Sequence, residues 1–128
     1  MKNEDTKLII TTDQKKAQLI KETLISHIFQ PHPPTLDELA RIINVNRRKM
    51  EEIFEQRYGK SIYKYFLDVK MKKILRYVQE DRTSIKEISE MFGYNHQSAL
   101  TLAFRRKFGM NPSRFREKKS NRLKKVRM

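Results

Sequence analysis

One sequence pattern occurs twice in this chain, and a further helical stretch separates the two copies. The first copy reads TLDELARIINVNRRKMEEIFEQRYG from Thr35 to Gly59, and the second reads SIKEISEMFGYNHQSALTLAFRRKFG from Ser84 to Gly109. Each copy consists of a short run of helical apolar spacing, a turn and a longer run of the same spacing, with one extra residue in the second copy's turn. The repeat therefore predicts two helix-turn-helix units in an all-α protein.

Local signals mark the expected helix ends in both copies. Thr35-x-x-Glu38 and Ser84-x-x-Glu87 have the pattern of capping boxes, in which a hydroxyl and a carboxylate satisfy free N–H groups at a helix start. We expect short helices over 36–43 and 85–92, followed by turns in which Gly93 adopts positive φ. The longer helices are expected to begin at caps provided by Asn46 and Asn95, and to end at Gly59 and Gly109.

The rest of the chain is organised around these copies. Residues 1–12 show no clear periodicity and are expected to be flexible, whereas an apolar stripe predicts a helix from an N-cap at Asp13 to Gln30. Asn111 and Pro112 indicate the start of a last short helix, whose Phe115 closes the second core. The expected organisation is a first subdomain at 13–60, a linker helix at 61–80, a second subdomain at 81–116 and a mobile basic tail at 117–128.

Composition points to a polyanionic partner. The chain has 29 Lys and Arg against 15 Asp and Glu, a formal charge of +14, and no cysteine. This charge favours nucleic acid. No apolar run is long enough for a membrane span, and the N-terminus lacks signal-peptide features, so we expect a soluble, cytoplasmic protein. His27, His32 and His96 lie in separate segments without ligand spacing, so we expect neither a metal or other cofactor nor an enzyme.

The second copy and its exit carry a family resemblance. The stretch IKEISEMFGYNHQSALTLAFRRKFGMNPSRFR resembles the signature of the AraC/XylS family of bacterial transcription regulators, in which a helix ends in F-x-x-x-FG-x-x-P-x-x-FR. The matching residues are Phe104, Phe108, Gly109, Pro112, Phe115 and Arg116. The first copy is similar to the family's first half at Met50, Phe54, Gly59, Ser61 and Tyr65.

The resemblance implies a fold and a function. It implies two homeodomain-like helix-turn-helix subdomains on a long linker helix, which bind successive major grooves of double-stranded DNA and contact RNA polymerase, as expected of a transcription activator. Most members carry a ligand-sensing domain ahead of this part, whereas a smaller set consists of the DNA-binding part alone. We expect no sensing domain within these 128 residues, which leaves open a natural short regulator and a piece of a longer one. Because no heptad pattern suggests a dimer, we expect a monomer.

Helical geometry selects the residues of the first unit that would face DNA. With Met50 and Phe54 inward, Arg48 and Glu52 lie on the opposite face of the second helix. Arg48 is the expected base reader, because its guanidinium fork matches guanine O6 and N7, and Arg47 and Lys49 are expected at phosphates beside the cap Asn46. Glu51 and Glu52 depart from the basic or amide residues frequent in the family. They would repel phosphates unless one accepts a hydrogen bond from a cytosine amino group.

The second unit offers a more polar and basic surface. Gln97 can form hydrogen bonds with adenine, and Ser98 and Thr101 on the same surface can reach bases or phosphates. Leu102 would contact a thymine methyl group or a neighbouring domain. The expected DNA-facing residues of this unit are Asn95, His96, Gln97, Ser98, Thr101, Arg105 and Arg106.

Two other functions remain open at this point. The charge alone would also suit a nonspecific nucleic-acid-binding or nucleoid-associated protein, although the duplicated helix-turn-helix favours a regulator. The acidic Glu51 and Glu52, together with the apolar Leu102, leave open an adaptor whose exposed faces bind protein.

Overall fold

The chain folds into helices, as the repeat predicts. The computed structural model describes residues 12–127, and within that range there are seven helices and no strand. They are α1 (Asp13–Ser26), α2 (Leu36–Ile43), α3 (Arg47–Tyr58), α4 (Ile62–Glu80), α5 (Ile85–Met91), α6 (Gln97–Phe108) and α7 (Pro112–Arg127). The all-α class with two helix-turn-helix units is confirmed, and α4 is the long helix between them. The flexibility expected of residues 1–11 lies outside the described residues.

The chain divides into two compact units, and neither is one continuous stretch. Unit 1 contains the described residues up to Ile28 together with His32–Asp68, and unit 2 contains Phe29–Pro31 and the described residues from Val69 onward. The division therefore falls inside α4. It also assigns a short segment that follows α1 to the second unit.

The core of unit 1 is built from the apolar faces of its helices. Ala17, Ile20 and Leu24 recur at helical spacing on α1 and are buried, as are Met50 and Phe54 on α3. The ring of Phe54 packs against two tyrosines, Tyr58 at 4.8 Å and Tyr65 at 5.4 Å between ring centroids. Burying one such side chain stabilises the fold by about 1.5–3 kcal/mol, so this cluster fixes the orientation of α3.

Unit 2 has its own core around three aromatic rings. Phe92 and Phe104 are fully buried, and Phe104 lies 5.8 Å from Phe115 in an edge-to-face arrangement, which confirms the core role expected of Phe115. Phe29 packs against Phe92 at 4.9 Å. The other fully buried members of this core are Met71, Ile74, Val78, Ile88 and Leu100.

The two helix-turn-helix turns have the same hydrogen bonds. After α2, Asn44 N–H donates to Arg41 O and Val45 N–H donates to Ala40 O, both at 3.2 Å. After α5, Gly93 N–H donates to Glu90 O at 3.2 Å, and Tyr94 N–H donates to Ser89 O at 2.9 Å. This is the Schellman pattern, which needs a left-handed residue, and φ is 55° at Asn44 and 79° at Gly93. The positive φ expected at Gly93 is confirmed.

The starts of α2 and α5 confirm one capping box in full and one in part. In the first, Glu38 N–H donates to the Thr35 hydroxyl and Thr35 N–H donates back to the Glu38 carboxylate. In the second, Glu87 N–H donates to the Ser84 hydroxyl, as expected. The Glu87 carboxylate does not repeat the backbone contact that Glu38 makes, because it accepts from the Ser84 hydroxyl itself.

The structure corrects two expected N-caps. The cap of α1 is Thr12, whose hydroxyl accepts from Lys15 N–H, and Asp13 is the first helical residue. Asn46 caps α3 as expected, with its Oδ1 2.8 Å from Lys49 N. Asn95 does not cap α6, because the extra residue of the second turn delays the helix by one position. His96 therefore occupies the cap position, without a side-chain capping bond.

Three helix ends also differ from the expected ones. Helix α5 ends at Met91, one residue before the expected end, and Phe92 is its C-cap. Helix α1 ends at Ser26, and hydrogen-bonded turns rather than helix lead on toward Gln30. Helix α7 begins at Pro112 as expected, with Asn111 Oδ1 accepting from Arg114 N–H at 2.8 Å. It does not stop near Glu117 but continues to Arg127, because the Lys and Arg residues that follow favour helix and neither Gly nor Pro interrupts them.

Candidate nucleic-acid interface

Helix α3 presents its polar side to solvent. Its buried residues Met50, Ile53 and Phe54 share one face, and the Arg48 side chain on the opposite face is 92% exposed. Asn46 and Arg47 lie where α3 leaves the turn and line an open depression there with Asp37, Ala40, Arg41, Asn44 and Val45. The geometry thus brings the first-turn residues of α3 together at the end of the helix that helix-turn-helix proteins place in a groove.

Each basic residue at this end of α3 has an acidic neighbour. Arg48 Nε lies 3.7 Å from Glu52 Oε1, and Lys49 Nζ lies 3.9 Å from Asp13 Oδ2. Arg47 lies 3.8 Å from Glu51 and 4.0 Å from Asp37. All of these pairs are long and solvent-exposed, so each contributes little to stability and can open at small cost. They nevertheless reduce the positive potential that this end of α3 offers to phosphates.

Helix α6 presents a different surface. Leu100 and Phe104 are buried, which turns the polar side of the helix outward. Four of the expected DNA-facing residues line one open depression on that side together with Leu102: they are Gln97, Ser98, Thr101 and Arg105. Leu102 is 40% exposed. The structure therefore brings together the side chains that would face bases, while the exposed Asn95 and His96 lie just before the helix begins.

The basic residues of α6 lie at its other end. Arg105, Arg106 and Lys107 are all exposed in the last turn, and α6 contains no acidic residue. Among the described side chains, which extend to Lys119, the ion pairs include neither Arg105 nor Arg106. A phosphate would therefore not have to displace a carboxylate from these two guanidinium groups.

Charge is divided very unequally between the units. Of the 29 Lys and Arg and the 15 Asp and Glu, 10 basic and 8 acidic residues belong to the described part of unit 1, 17 basic and 5 acidic residues belong to unit 2, and two of each sign belong to residues 1–11. The formal charges are therefore +2 and +12, which together make the +14 of the whole chain. Unit 2 carries most of the attraction for a polyanion.

Arg116 has a positioning role that no local sequence pattern indicates. Its guanidinium donates to the carbonyl oxygens of Val78 at 3.1 Å, Tyr77 at 3.3 Å and Thr83 at 2.8 Å, and its Nε lies 2.9 Å from Asp81 Oδ1. A cation at the end of α4 is also favoured by the helix dipole. These bonds fix α7 against the end of α4. The only sequence signal was the place of Arg116 in the family signature.

Lys70 is a second residue of this kind, and it is buried. Its side chain is 3% exposed, its Nζ donates to Gln30 O at 2.9 Å, and it lies 4.7 Å from the centroid of the Tyr94 ring. Burial lowers the pKa of Lys70 to about 8, and burial also raises the pKa of Tyr94. Lys70 thus anchors residues 29–31 within unit 2.

The described part of the chain shows neither a metal-binding cluster nor a membrane-spanning helix. No group of three His, Asp or Glu side chains is placed to hold a metal ion among the side chains that the structure describes, those of residues 12–119. None of the helices in that range combines the length and the apolar character needed to cross a bilayer.

Known proteins are similar in sequence to this domain. A family model described as a helix-turn-helix domain matches residues 39–118. The Msm operon regulatory protein of Streptococcus mutans serotype c is 33% identical over 86 residues, which cover 67% of this chain and 31% of that protein. The chain thus spans about a third of the length of this curated relative.

Solved structures share the architecture. The DNA-binding domain of AdpA, a global transcriptional factor in complex with a target DNA, has a TM-score of 0.69 at 20% identity over 84% of this chain and 94% of that chain. A transcriptional regulator with an AraC-type DNA-binding domain from Chromobacterium violaceum has a TM-score of 0.61 at 23% identity, over 80% of this chain and 93% of that chain. These likenesses confirm the fold.

Two helix-turn-helix units, each with an outward-facing second helix, define a DNA-binding domain of the double helix-turn-helix class. The chain belongs to the AraC/XylS family of transcription regulators, and the part it shares with its relatives is the family's DNA-binding domain.

Proposed function

We propose that this protein is a sequence-specific DNA-binding transcription regulator that acts as a monomer and inserts α3 and α6 into successive major grooves of one promoter site. The observation that carries the proposal is the surface of α6. Gln97, Ser98, Thr101 and Arg105 line one depression there, and among the side chains of residues 12–119 neither Arg105 nor Arg106 forms an ion pair. The AdpA domain, which has the same fold, was solved with its target DNA.

The two helices would divide the recognition between them. In unit 1, Arg48 reads guanine, and Arg47 and Lys49 hold phosphates beside Asn46. In unit 2, Gln97 reads adenine while Ser98 and Thr101 contact bases or the backbone. Arg105 and Arg106, with Asn95 and His96 at the turn, would supply phosphate contacts.

Selection of preferred sites from a random duplex pool tests this function. We expect a bipartite motif with halves about one helical turn apart, and a preference on the order of 10³-fold or more over a scrambled duplex at physiological salt. Equal affinity for both duplexes would contradict the proposal and would favour a nonspecific nucleic-acid-binding protein.

Two variants separate base reading from phosphate binding. Arg48→Ala should lose about 1–3 kcal/mol on the selected duplex and relax the preference at one base pair. Arg106→Ala should weaken binding to the selected and the scrambled duplex alike and should lower the salt dependence. Equal losses on the two duplexes for Arg48→Ala would refute its base-reading role.

Activation and contact with RNA polymerase complete the proposal and rest on the family resemblance alone. Transcription in vitro from a promoter carrying the selected site, with purified polymerase, would test both. An increase in transcript is expected, whereas a decrease would show that the protein represses.

A further inference from the structure

Glu52 occupies the same exposed face of α3 as the expected base reader. Arg48 and Glu52 are one helical turn apart and lie opposite the buried Met50 and Phe54. The Glu52 side chain is 59% exposed, and its Oε1 lies 3.7 Å from Arg48 Nε. A helix that places Arg48 at base edges therefore brings the Glu52 carboxylate to the same groove.

A carboxylate in the major groove discriminates between bases. It can only accept hydrogen bonds, and the groove offers donors at cytosine N4 and adenine N6. Guanine O6 and N7 and thymine O4 are also acceptors. They would repel the Glu52 carboxylate, because neither partner has a proton to donate. Phosphates on either side repel the same charge. Glu52 therefore lowers affinity unless a base amino group meets it.

Unit 1 has little other attraction with which to offset that repulsion. Helix α3 contains four Lys or Arg and three Glu, and the whole unit carries a formal charge of only +2. Unit 2, with +12, can hold DNA through phosphates at any sequence. Whether unit 1 engages its groove then depends on the bases it meets.

Building on the proposed function, we propose that Glu52 is a specificity-determining residue that makes unit 1 require an amino-bearing base, foremost cytosine, on the DNA strand that Glu52 faces, within a few base pairs of the guanine read by Arg48. Every base pair carries one amino group in the major groove, so the strand and position of that group decide whether it meets the carboxylate. Opening the exposed pair between Arg48 and Glu52 frees both groups, one for an acceptor and one for a donor. Glu51 is less suited, since it lies about 100° around the helix from Glu52, beside Arg47, which is expected at a phosphate. Glu55 lies almost one turn further from the end of α3 that enters the groove.

The experiment uses the full chain and the duplex selected above. The base pair assigned to Arg48 is located by Arg48→Ala, and each neighbouring pair within three steps is changed to all four bases. Dissociation constants are measured for the unaltered protein, for Glu52→Ala and Glu52→Gln, and for Glu55→Ala. The last variant is the matched control, because it removes an exposed charge of the same sign from the same helix.

The expected result is specific to one position. There the unaltered protein should prefer cytosine, or adenine, over guanine and thymine by about tenfold or more on one of the two strands, the one that Glu52 faces. Glu52→Ala should abolish that preference and bind the guanine and thymine duplexes more tightly than the unaltered protein does. Glu52→Gln should reduce the preference, since an amide both donates and accepts. Glu55→Ala should strengthen binding to all four duplexes by one common factor.

Two outcomes overturn different statements. If Glu52→Ala changes all four affinities by the same factor, as Glu55→Ala does, Glu52 acts only through its charge and the inference fails while the proposed function stands. If the unaltered protein does not distinguish selected from scrambled duplex, the proposed function itself fails. Because Glu52 is exposed, the variants are expected to fold, and thermal unfolding of each variant would verify that.

Discussion

Replacement of Gly93 by alanine tests how tightly residues 29–31 pack in unit 2. Gly93 follows α5 with φ of 79°, and a methyl group built on it would lie 2.5 Å from Pro31 N and 2.8 Å from Gln30 C. These are backbone atoms, which cannot rotate away as the end of a side chain can. Alanine at position 93 must therefore push the Phe29–Pro31 segment off the unit, distort the turn, or both.

The magnitude follows from what would be lost. The left-handed conformation alone costs an alanine about 1–2 kcal/mol. Moving the segment also loses the ring contact between Phe29 and Phe92 at 4.9 Å, worth about 0.5–1.5 kcal/mol. It further loses the 2.9 Å hydrogen bond from Lys70 to Gln30 O, worth about 1 kcal/mol. We therefore expect Gly93→Ala to lower the free energy of unfolding by about 3–4 kcal/mol.

Gly109→Ala is the matched control, because Gly109 lies in the same unit with φ of 84° and nothing within 4 Å of an added methyl group. It should cost only the conformational 1–2 kcal/mol or so. Urea unfolding followed by circular dichroism measures both variants. Equal destabilisation of the two would refute the packing of residues 29–31 against Gly93.

Three further predictions concern single side chains. Asn46→Ala should cost about 1 kcal/mol of stability in urea unfolding because it removes the cap of α3, whereas a comparable loss for Asn95→Ala would contradict the corrected start of α6. The folded pKa of Lys70, about 8, lies below its ordinary value, so its charged form is penalised in the fold. Relative to Lys70→Met, stability should therefore be lowest below pH 8 and rise by roughly 2–3 kcal/mol toward pH 10.5; a constant difference between the two proteins would contradict this. Arg116→Lys should cost about 1–3 kcal/mol, measured by thermal unfolding, since one ammonium group cannot reproduce the bonds of the fork to three carbonyls, and an unchanged melting temperature would contradict it.

Much of the fold could be predicted because its signals are local. Helix α2 has the expected bounds, and the Schellman turn at Gly93 and the cap at Asn46 each depend on residues within one turn of chain. The prediction that Asn95 caps α6 was wrong for an equally local reason. Two adjacent residues, Asn95 and His96, could each have preceded the helix, and side-chain preference pointed to the wrong one.

The remaining features depend on contacts between distant parts of the chain. Nothing in Phe29–Pro31 indicates that it packs with Phe92, about 60 residues later. The role of Arg116 at the end of α4 is equally invisible from its neighbours. In the candidate interface, the outward face of α6 followed from helical geometry. The acidic neighbours Asp13 and Asp37 of α3 did not, because they come from other helices.

The membership of Phe29–Pro31 in unit 2 matters for anyone who would build hybrid regulators from this family. A chimera joined in the middle of α4 would import a second half whose Phe92 and Lys70 meet a foreign segment in place of the Phe29 ring and the Gln30 carbonyl. Grafting therefore requires two crossovers, with the tripeptide exchanged along with the later half. A hybrid made with a single junction would therefore be less stable than either parent. Loss of promoter activity in such a hybrid would say little about which bases it reads.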